Sequence, residues 1–191
     1  MTDTHAGTAT PRTGTRRRRV LVGVAVLAAL VVALVSGWYP YAALAPAAPA
    51  ATLHLGESAE LDGVRYRLDR FVVAPALPAQ DADDPAVAGP AGSALVLVVV
   101  TQTVLDRSVH LDAHFCDATL TDGSTVWETD SDVTSLAARP AALGCADSDT
   151  APLRYDVPRE TGFTFLVPAT AGARVSGRLS VTDGPTLALL P

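Results

Sequence analysis

ALVLVVVTQTVL, Ala94 to Leu105, is the stretch on which the fold turns. Up to Val100 it is apolar at both parities, and it is dense in β-branched valine, which suits a strand better than a helix. A strand that is apolar on both faces is covered on both faces. This stretch is therefore predicted to run through the middle of a sheet, with something packed over it.

The neighbouring segments have a period of two. Toward the N-terminus, Leu53 and Leu55 alternate with Thr52 and His54. Asp62-Gly63 separates two short runs, a strong hairpin signal. The second run puts Val64, Tyr66 and Leu68 on one face and Arg65, Arg67 and Asp69 on the other. The parity then changes, with Phe71 and Val73 apolar, so a β-bulge is predicted near Asp69-Arg70. Pro75 to Ser93 reads as a long loop. Toward the C-terminus, Cys116, Ala118 and Leu120 alternate into a turn at Thr121 to Ser124, and Thr125 to Glu128 returns. Residues 129–157 read as irregular, with a short helical turn near Ser135 to Ala142. Gly162 to Val167 and Arg174 to Thr182 read as closing strands, the latter with Val175, Leu179 and Val181 inward. Seven or eight short strands with turns between them predict an all-β domain, a β-sandwich.

A different region precedes them. VLVGVAVLAALVVALVSGW, Val20 to Trp38, carries no charge. It is long enough to span a bilayer core of ~30 Å as a helix. Arg16, Arg17, Arg18 and Arg19 come directly before it as a topology signal, and Trp38, Tyr39 and Tyr41 directly after it as an interface belt. Residues 1–19 are expected to be a disordered basic cytoplasmic tail, 20–38 a transmembrane signal anchor, 39–51 an Ala/Pro-rich spacer and 52–191 an extracytoplasmic domain. In the alternative, the run is a cleaved signal peptide. Ala45-Pro46-Ala47 and Ala48-Pro49-Ala50 offer small-residue sites, and the domain is then secreted after cleavage near Ala47 to Ala51.

The net charge of the chain is −6, and its basic residues are all arginine. Five of the 14 basic residues lie in residues 1–19 with one acid; the remaining nine face 19 acids. So acidic a domain argues against nucleic acid, which needs a clustered basic surface. The two cysteines, Cys116 and Cys145, both follow the apolar run. An even count outside the cytosol predicts a disulfide.

VHLDAHFCD, Val109 to Asp117, raises the one specific chemical possibility. His110, Asp112, His114 and Cys116 fall at every second position, and an extended strand would present all four on one face. Imidazole, carboxylate and thiol are ligands of zinc and copper. The plainer reading is a solvated polar face, opposite Leu111, Ala113 and Phe115, with Cys116 paired to Cys145. No metal and no cofactor is expected; His110, Asp112 and His114 stand as the alternative. Asp81, Asp83 and Asp84, the pair Asp130 and Asp132, and the pair Asp147 and Asp149 could offer oxygen to calcium, yet none has the spacing of a calcium loop. They read as solvated acidic loops. No nucleophile elbow and no phosphate-binding glycine loop is visible, so an enzyme is not expected. Trp127 reads as core.

The order of these segments carries a resemblance. G-E-S at Gly56 to Ser58 is followed by D-G-V-R-Y-R-L at Asp62 to Leu68. Then come LVLVVVTQTVLDRS, a strand into D-G-S at Asp122 to Ser124, and F-x-F-x-V-P at Phe163 to Pro168. This resembles the immunoglobulin-like extracytoplasmic domains of unknown function that follow signal anchors or lipoprotein signals in Gram-positive, actinobacterial-type bacteria. The resemblance covers about residues 53–183. It implies an immunoglobulin-like sandwich at the cell envelope and brings no catalytic residues. This chain departs from it in having no lipid-modified cysteine and a long insert before its last two strands. The expected function is a membrane-anchored, non-catalytic binding or structural module. Its expected partners are the lipid bilayer, through residues 20–38, and an envelope protein.

Overall fold

A computed structural model of the chain describes residues 48–137, 144–147 and 151–191, together with residues 27, 28 and 30–32. Those five are helical and solvent-exposed. The expected tail, the arginines Arg16 to Arg19, the aromatic belt Trp38, Tyr39 and Tyr41, and most of the expected anchor and spacer lie outside the described residues. Among the described residues no helix is long and apolar enough to cross a membrane.

Residues 48–191 form one compact unit built as a β-sandwich. One sheet has the order β1 (Ala51–His54), β11 (Thr186–Leu190), β10 (Ser176–Val181), β7 (Cys116–Thr121), β8 (Val126–Glu128). The other has the order β2 (Ser58–Leu61), β3 (Val64–Ala74), β6 (Ser93–Val104), β9 (Arg159–Pro168). A two-stranded ribbon, β4 (Ala76–Leu77) with β5 (Val87–Ala88), and one short helix, α1 (Ser131–Leu136), lie outside the two sheets.

The long valine-rich strand is where its pattern puts it. β6 lies between β3 and β9. One face, with Val96, Val98 and Val100, enters the main core shared with Leu120, Leu179, Leu187 and Leu189 of the opposite sheet. The other face, with Leu95, Leu97 and Val99, is covered by Leu77 of β4 and by Val133 and Ala137 at α1. The bulge is also present: the β3–β6 register slips between Leu68 and Arg70. The extra residue lets Phe71 pack on the core after Val64, Tyr66 and Leu68 have done so. The Asp62-Gly63 turn closes the β2–β3 hairpin with both residues at positive φ, 48° and 76°, as a type I′ turn requires. A side chain at Gly63 would also meet Asp106.

Several expectations need correction. The described residues contain eleven strands, not seven or eight. The additional ones are short pieces inside the expected Pro75 to Ser93 loop and the last strand, β11. Thr186–Leu190 buries Leu187 and Leu189 alternately, a period-two signal that was there to be read. It pairs in parallel with β1, Ala51 opposite Leu187. The domain also starts earlier than residue 52, because Ala51 is in β1 and the Ala50 amide donates to the Thr186 carbonyl. The helical turn begins four residues earlier than expected, at Ser131. Asp130 sets this start: its Oδ1 accepts from the amides of Asp132 and Val133, at 3.0 and 2.9 Å, the N-cap arrangement.

Candidate functional site

VHLDAHFCD is not a strand along its length. Leu111–Ala113 forms a 3₁₀ turn, and β7 starts only at Cys116. Side chains in such a turn rotate about a third of a circle per residue instead of alternating. His110 and Asp112 therefore remain exposed, while His114 goes inside with only 8% of its surface accessible. Phe115, expected to face in, is turned out and half exposed. The four residues do not share a face, so the spacing argument for a metal site fails, and so does the solvated-face reading for His114. Among the described residues no three His, Cys, Asp or Glu side chains are grouped to hold a metal ion.

His114 instead meets a residue of the opposite sheet. Its Nε2 lies 3.2 Å from the hydroxyl of Tyr66, which is fully buried. The two rings stack with centroids 6.3 Å apart. Burial, reinforced by the nearby Arg159 charge, holds His114 below the usual imidazole range. Burial, then the charge of Asp62, pushes the Tyr66 phenol upward. At neutral pH the pair is an uncharged imidazole against an uncharged phenol.

Tyr66 starts a polar row across the inner face of the second sheet. It pairs with Gln102, and Gln102 pairs with Arg159. Both of these are buried. They hold a segment of residues 144–147 that closes this region between the sheets. The Arg159 guanidinium donates to the carbonyls of Ala146, Ala151, Gly144 and Cys145 at 2.7, 2.8, 3.3 and 2.5 Å. Gln102 Nε2 donates to the Cys145 carbonyl at 3.1 Å, and the Thr161 hydroxyl donates to that of Gly144 at 3.1 Å. Gln102 Oε1 and Arg159 Nε are buried without partners. The segment is also tied covalently: Cys145 forms a disulfide with Cys116 at the start of β7, Cα to Cα 5.2 Å. Sequence reading found the cysteines but missed Gln102 and Arg159. The only signal for them was a polar residue at an inward parity, and in the sequence that resembles a strand end.

Two cavities flank this polar layer. One is a cleft of about 470 Å³ beside the disulfide, lined by Phe115, Asp117, Ser131, Thr134 and Phe163 among others. The other, about 260 Å³, has Tyr66 and His114 among its lining, with Leu61, Asp62, Val109 and the Val181–Pro185 turn. Two of the acidic loops have structural duties. Asp130 caps α1, and Asp147 Oδ1 accepts from the Leu153 amide at 2.6 Å. Asp149 lies outside the described residues. Trp127 is partly buried and packs on the main core.

No protein-family model matches the chain, and no curated protein matches it. Solved structures do. An uncharacterised β-sandwich protein from Clostridium difficile 630 matches at 11% identity and TM-score 0.45, over 72% of this chain and 91% of that one. A conserved hypothetical protein from Bacillus anthracis matches at 8% identity and TM-score 0.47, over 70% and 94%. A functionally unknown protein from Listeria monocytogenes EGD-e matches at 8% identity and TM-score 0.38, over 64% and 68%.

Proposed function

We propose that this chain is a membrane-anchored, extracytoplasmic module of the cell envelope, non-catalytic, whose immunoglobulin-like sandwich binds or supports an envelope partner. The observation that carries this reading is the Cys116–Cys145 disulfide, 7% and 2% exposed, tying β7 to the segment that closes the polar layer. A disulfide built into the packing belongs to a chain folded in an oxidising compartment. The apolar run Val20 to Trp38 behind four arginines supplies the route there and the attachment to the bilayer. The partner is read as a protein, met by end loops and open surface such as the cleft beside the disulfide, with Phe115 half exposed at its side.

Protease added to intact cells tests the topology. It should remove the domain and leave a fragment of about 40–50 residues, the tail plus anchor at ~20 residues per span. Full protection of the domain places it in the cytoplasm and ends the proposal. A released, fully soluble domain selects the cleaved alternative.

A further inference from the structure

Gln102 and Arg159 are 1% and 8% exposed, and each keeps one buried polar atom without a protein partner, Gln102 Oε1 and Arg159 Nε. A buried polar group left unsatisfied is costly, so each needs a physical account. A guanidinium has five N–H donors. Four of them go to the carbonyls of Gly144, Cys145, Ala146 and Ala151; the fifth, Nε–H, is left over. The Cys145 carbonyl cannot take it. That oxygen already accepts from Gln102 Nε2 and from Arg159 Nη2, which fills both of its lone pairs. Turning the Gln102 amide over gives no relief either, because Oε1 would then face the Cys145 oxygen in place of the donor that bonds it at 3.1 Å.

The two leftover atoms belong to one place. Gln102 and Arg159 are directly opposed on β6 and β9, and both side chains converge on the same carbonyl oxygen. One leftover is a donor and the other an acceptor. A species between them has to accept one hydrogen bond and donate one. An anion accepts from Nε–H but is repelled by Oε1. A cation suits Oε1 but is repelled by the guanidinium. Water does both. We propose that the polar layer contains a specific site for one internal water molecule, whose oxygen accepts from Arg159 Nε–H and which donates a proton to Gln102 Oε1. The water completes the guanidinium's set of five bonds and fixes its plane, so that Nη1 and Nη2 stay aimed at the four carbonyls. It is a positioning element for the segment that carries Cys145. The site is separate from any partner surface and holds for an anchored or a released domain alike.

The test is water-selective NMR on the full-length chain in detergent micelles, read at the Arg159 Nε–H. The expected result is a cross-peak to water whose NOE and ROE have opposite signs, the signature of a held water; proton exchange gives the same sign in both. Two neighbouring hydroxyls could relay exchange: Thr161, which shares the Gly144 carbonyl with Arg159, and Tyr66, which pairs with Gln102. The peak should persist in Thr161→Val and in Tyr66→Phe. Gln102→Met keeps the length of the side chain but removes the acceptor, and the peak should be lost there. The proposal is overturned by absence of the peak in the wild type, by equal signs, by its loss in either hydroxyl variant while folded, or by its persistence in a folded Gln102→Met. It is overturned as well by a coupling across a hydrogen bond between Arg159 Nε and the Gln102 side-chain carbonyl carbon, which would mean that the two atoms bond directly. If Gln102→Met does not fold, the wild-type signs and that coupling still decide.

Discussion

Gln102 and Arg159 face each other across the β6–β9 ladder, and both donate to the same atom, the carbonyl oxygen of Cys145. One end of the disulfide is therefore held twice, by the sulfur bond and by two buried side chains of the opposite sheet. These two holds should come apart in experiment.

Replacing both cysteines by alanine should lower stability by about 3–4 kcal/mol, the loop-closure value for a separation of 29 residues. Urea unfolding of wild type and double variant measures it. A loss under about 1 kcal/mol would mean that the non-covalent hold alone restrains the loop in the unfolded ensemble or the native state.

Arg159→Lys should cost about 2–4 kcal/mol although it keeps the charge. A planar guanidinium reaches four carbonyls that a single ammonium cannot reach together. Amide exchange at residues 144–147 should accelerate more in this variant than exchange in β10. Uniform acceleration would show that Arg159 supports the whole domain and not this segment.

Acid should destabilise the fold through His114. Its folded-state pKa is lowered relative to the usual 6.5, so below that value the unfolded chain binds a proton that the folded chain refuses. Stability is complete above about pH 7.5 and declines as pH falls through 6.5 until the folded value is reached, with a slope of at most about 1.4 kcal/mol per unit. Melting curves between pH 5 and 8 measure this. His114→Gln should flatten the profile in that window, and an unchanged slope would assign it to another group.

The Thr121–Ser124 turn makes a separate prediction. Asp122 Oδ1 accepts from the amides of Ser124 and Thr125 and from the Ser124 hydroxyl. These bonds favour the carboxylate and hold its pKa at about 2. Carbon-detected NMR titration should find it there, and Asp122→Ala should raise mobility in the β7–β8 hairpin. The stabilisation is present above about pH 4 and is lost as pH falls through 2.

Local pattern was enough for much of this molecule. The two-sided apolar strand, the bulge after Leu68, the Asp-Gly turn and the sandwich class all follow from side-chain alternation and turn stereochemistry, which are properties of neighbouring residues. The cysteine pairing followed from an even count and an expected compartment. Where sequence reading went wrong, contacts distant in the chain had intervened. At Leu111–Ala113 a 3₁₀ turn broke the alternation on which the metal reading stood, and a hydroxyl 48 positions away took up His114.

By itself, then, the sequence determined that the domain is a β-sandwich with a central buried strand, because period and parity are local and each strand carries its own. The tertiary structure alone decided which polar residues face inward together. Tyr66, Gln102 and Arg159 become neighbours only through strand register, and His114 joins them only because the opposite sheet places its turn above them. Tyr66 is met by His114, and Gln102 and Arg159 by the Cys145 carbonyl, and such partnership between residues 14 to 48 positions apart has no signature in any single stretch of chain.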